Sequence, residues 1–235
     1  MKVSWNEICS IGASITHLYQ PICNITNNTV IGHEALLRDA VRQRSPADIF
    51  LCAEAQGIRD ILDLISVRNA VTRYMEQVQL LRPLFVNVYP ATLLEADFIS
   101  QWERNIPGTV PIVLELLENE PIQDWTGLKE IIAELSRRGV KLAIDDLGNG
   151  YSFFQQWIEL HPDYIKVDRY YARKLSECIQ KQRVIKSLLN LFSGSTELIL
   201  EGIETKDDLD MARFLGITLA QGFLLGVPGS VNSLD

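Results

Sequence analysis

The sequence predicts an α/β fold: a (β/α)8 TIM-like barrel with the first strand antiparallel. Three observations predict it. Short apolar runs alternate with stretches of helical periodicity almost to the end of the chain, the pattern of parallel strands joined by crossover helices. The strand count comes to eight, the number that closes a ring whose interior side chains fill it. No Gly-rich phosphate loop follows an early strand, as an open doubly wound sheet would normally show. A chain of 235 residues suits one such barrel, which typically takes about 250. Residues 1–235 are accordingly expected to form a single domain.

The elements follow in order. Residues 15–25 and 30–37 are two apolar runs joined by Thr26-Asn27-Asn28-Thr29, which predicts a hairpin and hence an antiparallel opening pair. Helical periodicity covers 46–56 and 59–81, the second with Ile61, Leu64, Ile65, Val71, Met75 and Val78 on one broad face interrupted by Arg68. A strand at 84–89 closes on Pro90, a helix is expected over 92–104, and a strand over 110–116. A helix at 125–138 leads into the strand 141–146. A short helix at 152–160, a strand at 164–168, a long helix at 171–192, a strand at 197–202, a helix at 206–214 and a strand at 218–223 complete the series.

Composition excludes several classes. A formal net charge of −8 argues against broad, charge-driven binding to nucleic acid polymers or an anionic membrane. No run approaches the ~18 apolar residues of a membrane helix, and Glu7 interrupts any export signal, so a cytoplasmic location is the expectation. Cys9, Cys23, Cys52 and Cys178 have neither CxxC nor zinc spacing and read as reduced, mostly buried thiols. His17, His33 and His161 lack ligand spacing and read as structural or surface residues.

The chemistry is carried by polar residues that interrupt the apolar strands late in each: Glu34, Asn87, Glu115, Asp145 with Asp146, Lys166, Glu201 and Gln221. An isolated acid in a strand is ordinarily a solvated edge residue, and the Asp145–Asp146 pair alone would serve as a helix cap or loop acid. Barrel closure changes this, because the C-terminal strand ends form one rim, where active sites sit. Neighbouring strand residues point to opposite faces, so Asp145 and Asp146 can converge only where the strand ends and turns. Placing two carboxylates side by side costs several kcal/mol unless a cation lies between them. The set is all hard oxygen donors apart from Lys166, which selects Mg²⁺ or Mn²⁺ over zinc, or Ca²⁺ if the site is loose. The six donors Glu34, Asn87, Glu115, Asp145, Asp146 and Glu201 exceed what one Mg²⁺ uses, so two ions sharing a carboxylate fit better, an arrangement suited to phosphodiester hydrolysis. Lys166 is expected to stay protonated among these acids.

These residues, in this order, resemble the EAL-domain family of cyclic di-GMP phosphodiesterases, named for the triplet Glu34-Ala35-Leu36. The triplet alone is a weak signal. The match also takes in YQPI (19–22), EALLR (34–38), FVNVYP (85–90), LELLENE (114–120), LAIDDLGNGYS (142–152), DYIKVD (163–168), LEGIET (200–205) and AQGFLLGVP (220–228). The resemblance implies a barrel with its first strand reversed, and hydrolysis of cyclic di-GMP to linear pGpG with two Mg²⁺ or Mn²⁺ ions in a bacterial signalling protein. By position it implies that Glu34, Asn87, Glu115 and Asp145 ligate one metal, with Asp145 bridging to a second that Asp146 helps hold. It makes Glu201 the general base, with Lys166 on the same water. Glu118 braces the loop 147–153, and Glu204 supports the site from behind. Gln20, Leu36, Arg38 and Gln221 contact the substrate, Arg38 through a phosphate oxygen. Homodimers are common in the family.

The chain departs from the usual pattern at Leu147 and Asn149, where Phe and Thr are usual. Further departures are Phe153 (usually Ser), Leu117 (usually Thr) and Leu200 (usually Ala). No ligand position is lost. These loop changes motivate the alternative reading, a weak or inactive EAL domain acting as a cyclic di-GMP receptor or protein-interaction module.

Overall fold

A computed structural model describes residues 14–41, 44–78, 80–117, 121–147, 153–192, 194 and 196–230, with the backbone alone at Asp146 and Phe153. Eight strands close into a barrel in chain order: β1 (Ile15–Asn24), β2 (Thr29–Asp39), β3 (Leu84–Val88), β4 (Ile112–Leu116), β5 (Lys141–Leu147), β6 (Tyr164–Val167), β7 (Glu197–Leu200) and β8 (Leu219–Ala220). β1 runs antiparallel to both β2 and β8, and every other neighbouring pair is parallel. The predicted hairpin is present. Its turn is held by Asn24, whose Oδ1 accepts from Thr26 N at 2.9 Å, and by Asn28 in the left-handed region (φ 57°), which Asn tolerates.

The helices are α1 (Pro46–Ala55), α2 (Arg59–Gln77), α3 (Pro90–Leu93), α4 (Phe98–Asn105), α5 (Trp125–Arg137), α6 (Phe153–Leu160), α7 (Arg169–Ala172), α8 (Ile179–Leu191) and α9 (Lys206–Leu215). Two expected helices are split. Over 92–104, Leu93 and Phe98 are both fully buried. In one continuous helix, five positions of separation would turn them about 140° apart, so the chain breaks to bury both. Over 171–192, the buried Asp208 of α9 takes the backbone N–H groups of Lys174 (3.3 Å) and Ser176 (2.9 Å), which a helix would use internally.

Other bounds shift for local reasons. The 59–81 helix stops at Gln77, with Val78 already extended (φ −104°, ψ 140°). Pro111 has no N–H for a ladder, so β4 begins at Ile112 while the Pro111 carbonyl accepts from Leu84 N at 2.8 Å. The face expected for α2 is also corrected. Its buried stripe is Leu62, Asp63, Ser66, Val67, Ala70, Val71 and Tyr74, with Met75 at 37% exposure. Asp63 and Ser66 face inward because each holds a partner there: Asp63 Oδ2 accepts from Tyr89 N (2.8 Å), and Ser66 Oγ bonds His17 Nε2 (3.1 Å). Among the described cysteines only Cys23 is buried; Cys52 is exposed and Cys178 half-buried, contrary to the expectation of mostly buried thiols.

The barrel interior is layered. Ile22, Phe85, Val113, Ala143, Tyr164, Ile199 and Leu219 form an apolar plug across it, with the Phe85 and Tyr164 rings 5.2 Å apart. Side chains on a strand repeat every second residue on one face. The next inward position above each plug residue is therefore Asn87, Glu115, Asp145, Lys166, Glu201 or Gln221, and on the reversed β1 it is Gln20. On β2 the place beside Phe85 is taken by Gly32, where a Cβ would lie 3.2 Å from that ring, and Glu34 stands above it. Outside the barrel, the other strand face packs on the helices. Ala35, for example, is buried among Val67, Ala70 and Tyr74.

Candidate functional site

The polar layer is a cluster around one lysine. Lys166 is 1% exposed, and its Nζ lies 2.8 Å from Glu201 Oε1, 3.0 Å from Glu115 Oε1, 3.2 Å from Glu34 Oε2 and 3.4 Å from Asp145 Oδ1. β2, β4, β5 and the residue that follows β7 each deliver one carboxylate to it. Gln221 Nε2 donates to Glu34 Oε2 (2.7 Å) and to Gln20 Oε1 (3.3 Å), and Gln20 Nε2 donates to the Gly226 carbonyl (3.0 Å). Asn87 adds a further hydrogen bond to Glu34.

The acids are not equivalent. Burial works to raise Glu34, but Lys166 and the hydrogen bonds from Gln221 and Asn87 outweigh it, and its carboxyl is held below the usual range. Glu115 goes the other way. Its burial dominates the pull of Lys166, and the charges of Glu34 and Asp145 push it up further. Burial also lifts Glu201, against Lys166 and with Asp145 and Glu34, to about 8. Burial disfavours the Lys166 ammonium, yet Asp145, Glu115, Glu201 and Glu34 together hold it charged well above its ordinary range.

β5 is irregular where it matters. Ile144 pairs with Ile165 and Leu147 with Val167, so β5 fits one extra residue between these pairs, at Asp145–Asp146. A bulge of this kind re-aims side chains next to it and breaks the strict alternation of faces. Asp146's side chain, Glu118 and the loop 148–152 with Asn149 lie outside the described residues. Leu147 is buried against Ile165 and Val167.

Above the cluster opens a polar basin of ≈ 480 Å³, walled by Gln20, Glu34, Leu36, Asp145, Lys166, Glu201, Glu204 and Gln221. Glu204 stands exposed on its rim. Leu36 is shared with a neighbouring, more apolar cleft of ≈ 260 Å³ that holds Asn87, Arg38, Phe50, Asp63 and Tyr89. Arg38 is therefore in the second cleft, where its guanidinium donates to the Leu37 carbonyl at 2.8 Å. Of the histidines, His17 is buried on Ser66, His33 is buried on the Tyr74 hydroxyl at 2.9 Å, and His161 is exposed with φ 48°. Sequence reasoning missed Asp168, Arg169, Gly202, Gly222 and Phe223, which complete the basin wall. Their signal was available: each lies within three residues of a strand's C-terminal end.

Among the described residues, no three His, Cys, Asp or Glu side chains form a metal cage by themselves, because the Lys166 ammonium stands between the acids. The donor chemistry nevertheless fits a hard divalent cation. Glu115 is fully buried; the Lys166 ammonium lies 3.0 Å from its Oε1, while its Oε2 has no hydrogen-bond partner. A buried carboxylate so poorly satisfied is costly unless a cation is close. Glu34, Asn87, Glu115 and Asp145 offer oxygen alone, as Mg²⁺, Mn²⁺ and Ca²⁺ require.

The chain matches the sequence profile of the EAL domain over residues 12–228. It is 29% identical over 227 residues to the probable cyclic di-GMP phosphodiesterase PdeG of Escherichia coli, covering 91% of this chain and 44% of that protein. It is 26% identical to the cyclic di-GMP phosphodiesterase TpdA of Vibrio parahaemolyticus, covering 91% of this chain and 38% of the other. The chain thus spans less than half the length of these curated relatives. Its fold superposes on the Klebsiella pneumoniae BlrP1 complex with manganese and cyclic di-GMP at a TM-score of 0.82 and 27% identity, covering 92% of this chain and 56% of that one. Barrel, ordered motifs and profile agree, and the chain belongs to the EAL domain family.

Proposed function

We propose that this chain is a metal-dependent phosphodiesterase that hydrolyses cyclic di-GMP to linear pGpG. The observation that carries the reading is the delivery of four carboxylates, from β2, β4, β5 and the end of β7, to one buried point at the floor of the basin. The BlrP1 complex supports it, since a protein of the same fold at 27% identity binds both manganese and cyclic di-GMP.

In this reading Glu34, Asn87, Glu115 and Asp145 would hold one Mg²⁺ or Mn²⁺, and Asp145 with Asp146 would hold a second. The ions supply Lewis-acid activation of the phosphoryl group and of water. Glu201 takes the proton of the attacking water as its oxygen bonds to phosphorus. The bond from phosphorus to the 3′ oxygen breaks, and that oxygen takes a proton from bulk water to leave as the 3′ hydroxyl of pGpG, while Glu201 returns its own proton to solvent. Lys166 stays protonated, orients the water and offsets charge on the phosphoryl oxygens. Gln20, Leu36 and Gln221 position the dinucleotide over the basin, and Arg38 reaches a phosphate from the adjoining cleft. Glu204 supports Glu201 from the rim.

The test is to incubate the purified chain with cyclic di-GMP and Mg²⁺ or Mn²⁺ and to separate the products. Linear pGpG is expected, and Glu201→Gln should slow its formation at least ~100-fold while leaving the melting curve intact. Absence of pGpG with both metals would overturn the reading.

A further inference from the structure

On the side of β6, β7 and β8 the basin has a rim of three segments locked to one another. Asp168 caps α7, its Oδ1 accepting from Tyr170 N at 2.8 Å, and Arg169 is the first residue of that helix. Gly202 follows Glu201 with φ 75°, and a Cβ there would fall on the Cα and Cβ of Arg169. Ile203 N donates to the Gln221 carbonyl (3.1 Å) and Leu224 N to the Ile203 carbonyl (3.1 Å). A Cβ at Gly222 would fall on the Ile203 backbone. Two glycines thus let three loops approach closely, and the approach fixes where Arg169 and Phe223 stand.

Both side chains line the basin, and neither is used by the fold. Phe223 is 62% exposed. Arg169 is exposed and makes no ion pair or side-chain hydrogen bond among the described residues, although Asp168 and Glu204 line the same basin. Lys166, the other cation of the wall, is taken up by four acids. An exposed ring and an unengaged guanidinium, held rigidly at the mouth of a polar basin, are complementary to a flat aromatic ligand with acceptors on its edge. A purine base stacks on aromatic rings through its π-face, and guanine adds paired O6 and N7 acceptors that match the arginine fork.

We propose that Arg169 and Phe223 form a clamp for one guanine of the dinucleotide, with Phe223 supplying stacking and Arg169 reading the O6/N7 edge. The clamp rests on the phosphodiesterase reading, and its test is chosen to separate the two. Binding of cyclic di-GMP and of cyclic di-AMP is measured by calorimetry with Mn²⁺ on Glu201→Gln protein, so that the result does not depend on turnover. Adding Phe223→Ala should weaken both dinucleotides roughly 5- to 100-fold, the range of one lost base stack. Adding Arg169→Ala should weaken cyclic di-GMP roughly 10-fold more than cyclic di-AMP, and Arg169→Lys should not restore the difference, because an ammonium lacks the fork. Unchanged affinities in both variants, or full rescue by Arg169→Lys, would overturn the clamp while leaving pGpG formation by the unmodified chain untouched. Failure of that chain to form pGpG, with the binding differences intact, would overturn the hydrolysis and keep the clamp.

Discussion

At the residue scale the site is a balance between one ammonium and four carboxyl groups that do not share its charge equally. Each acid would be costly alone in a dry interior, and Lys166 is what makes their convergence possible before any metal arrives. The motif Glu34-Ala35-Leu36 resolves into three environments. Glu34 joins the cluster, Ala35 is small because α2 packs on it, and Leu36 divides the basin from the second cleft. Beside that cleft His17 carries a pH effect. Burial, with the nearby charges of Arg73 and Arg38, lowers it from 6.5 to about 3, so the folded protein keeps it neutral. The unfolded chain binds its proton more readily. Stability from this group is therefore complete above pH 6.5 and is lost as pH falls through 6.5 towards 3. At about 1.4 kcal/mol per pKa unit the full effect is at most about 5 kcal/mol. Urea denaturation of the protein and of His17→Gln across that window should show a shallower loss in the variant, and parallel curves would refute the assignment.

At the element scale, the split of the 171–192 helix has a tertiary cause: a side chain from a distant element competes for its backbone groups. Helical periodicity runs unbroken through 171–192, yet Asp208 pulls Lys174 and Ser176 out of it. Ser176 Oγ (2.9 Å) and Thr205 Oγ (2.8 Å) also donate to that carboxylate. Burial alone would raise Asp208, but these hydrogen bonds hold it below the usual range. Asp208→Ala should cost roughly 3 kcal/mol, since it strands several partly buried donors at about 1–3 kcal/mol each at most. Hydrogen exchange should quicken at Lys174 and Ser176 first. Uniform quickening across the barrel would argue against a local role.

At the scale of the whole molecule, the barrel acts as a gathering device. Residues from Gln20 to Gln221 meet only because closure brings β8 back to β1 and β2. A folded protein with a preformed anionic cluster should bind divalent cations that its unfolded chain binds poorly. Ligand at 100 times its dissociation constant adds about 2.7 kcal/mol. Mn²⁺ should therefore raise the melting temperature by several degrees, and Glu115→Gln should diminish the rise. An equal rise in that variant would place the metal elsewhere. Among the described residues no helix is long and apolar enough to cross a membrane.

The sequence by itself determined the fold class, the reversed first strand and the acids that converge, because period-two alternation and strand count are local properties that survive folding. It marked Glu34, Glu115, Asp145, Lys166, Glu201, Gln20 and Gln221, and these are brought together. Tertiary structure alone decided which cleft receives Arg38, how the bulge at Asp145–Asp146 breaks the strand's alternation, and that Gly202 and Gly222 seat Arg169 and Phe223 on the rim. Those outcomes depend on close approach between segments far apart in the chain, and spacing along a sequence carries no record of it.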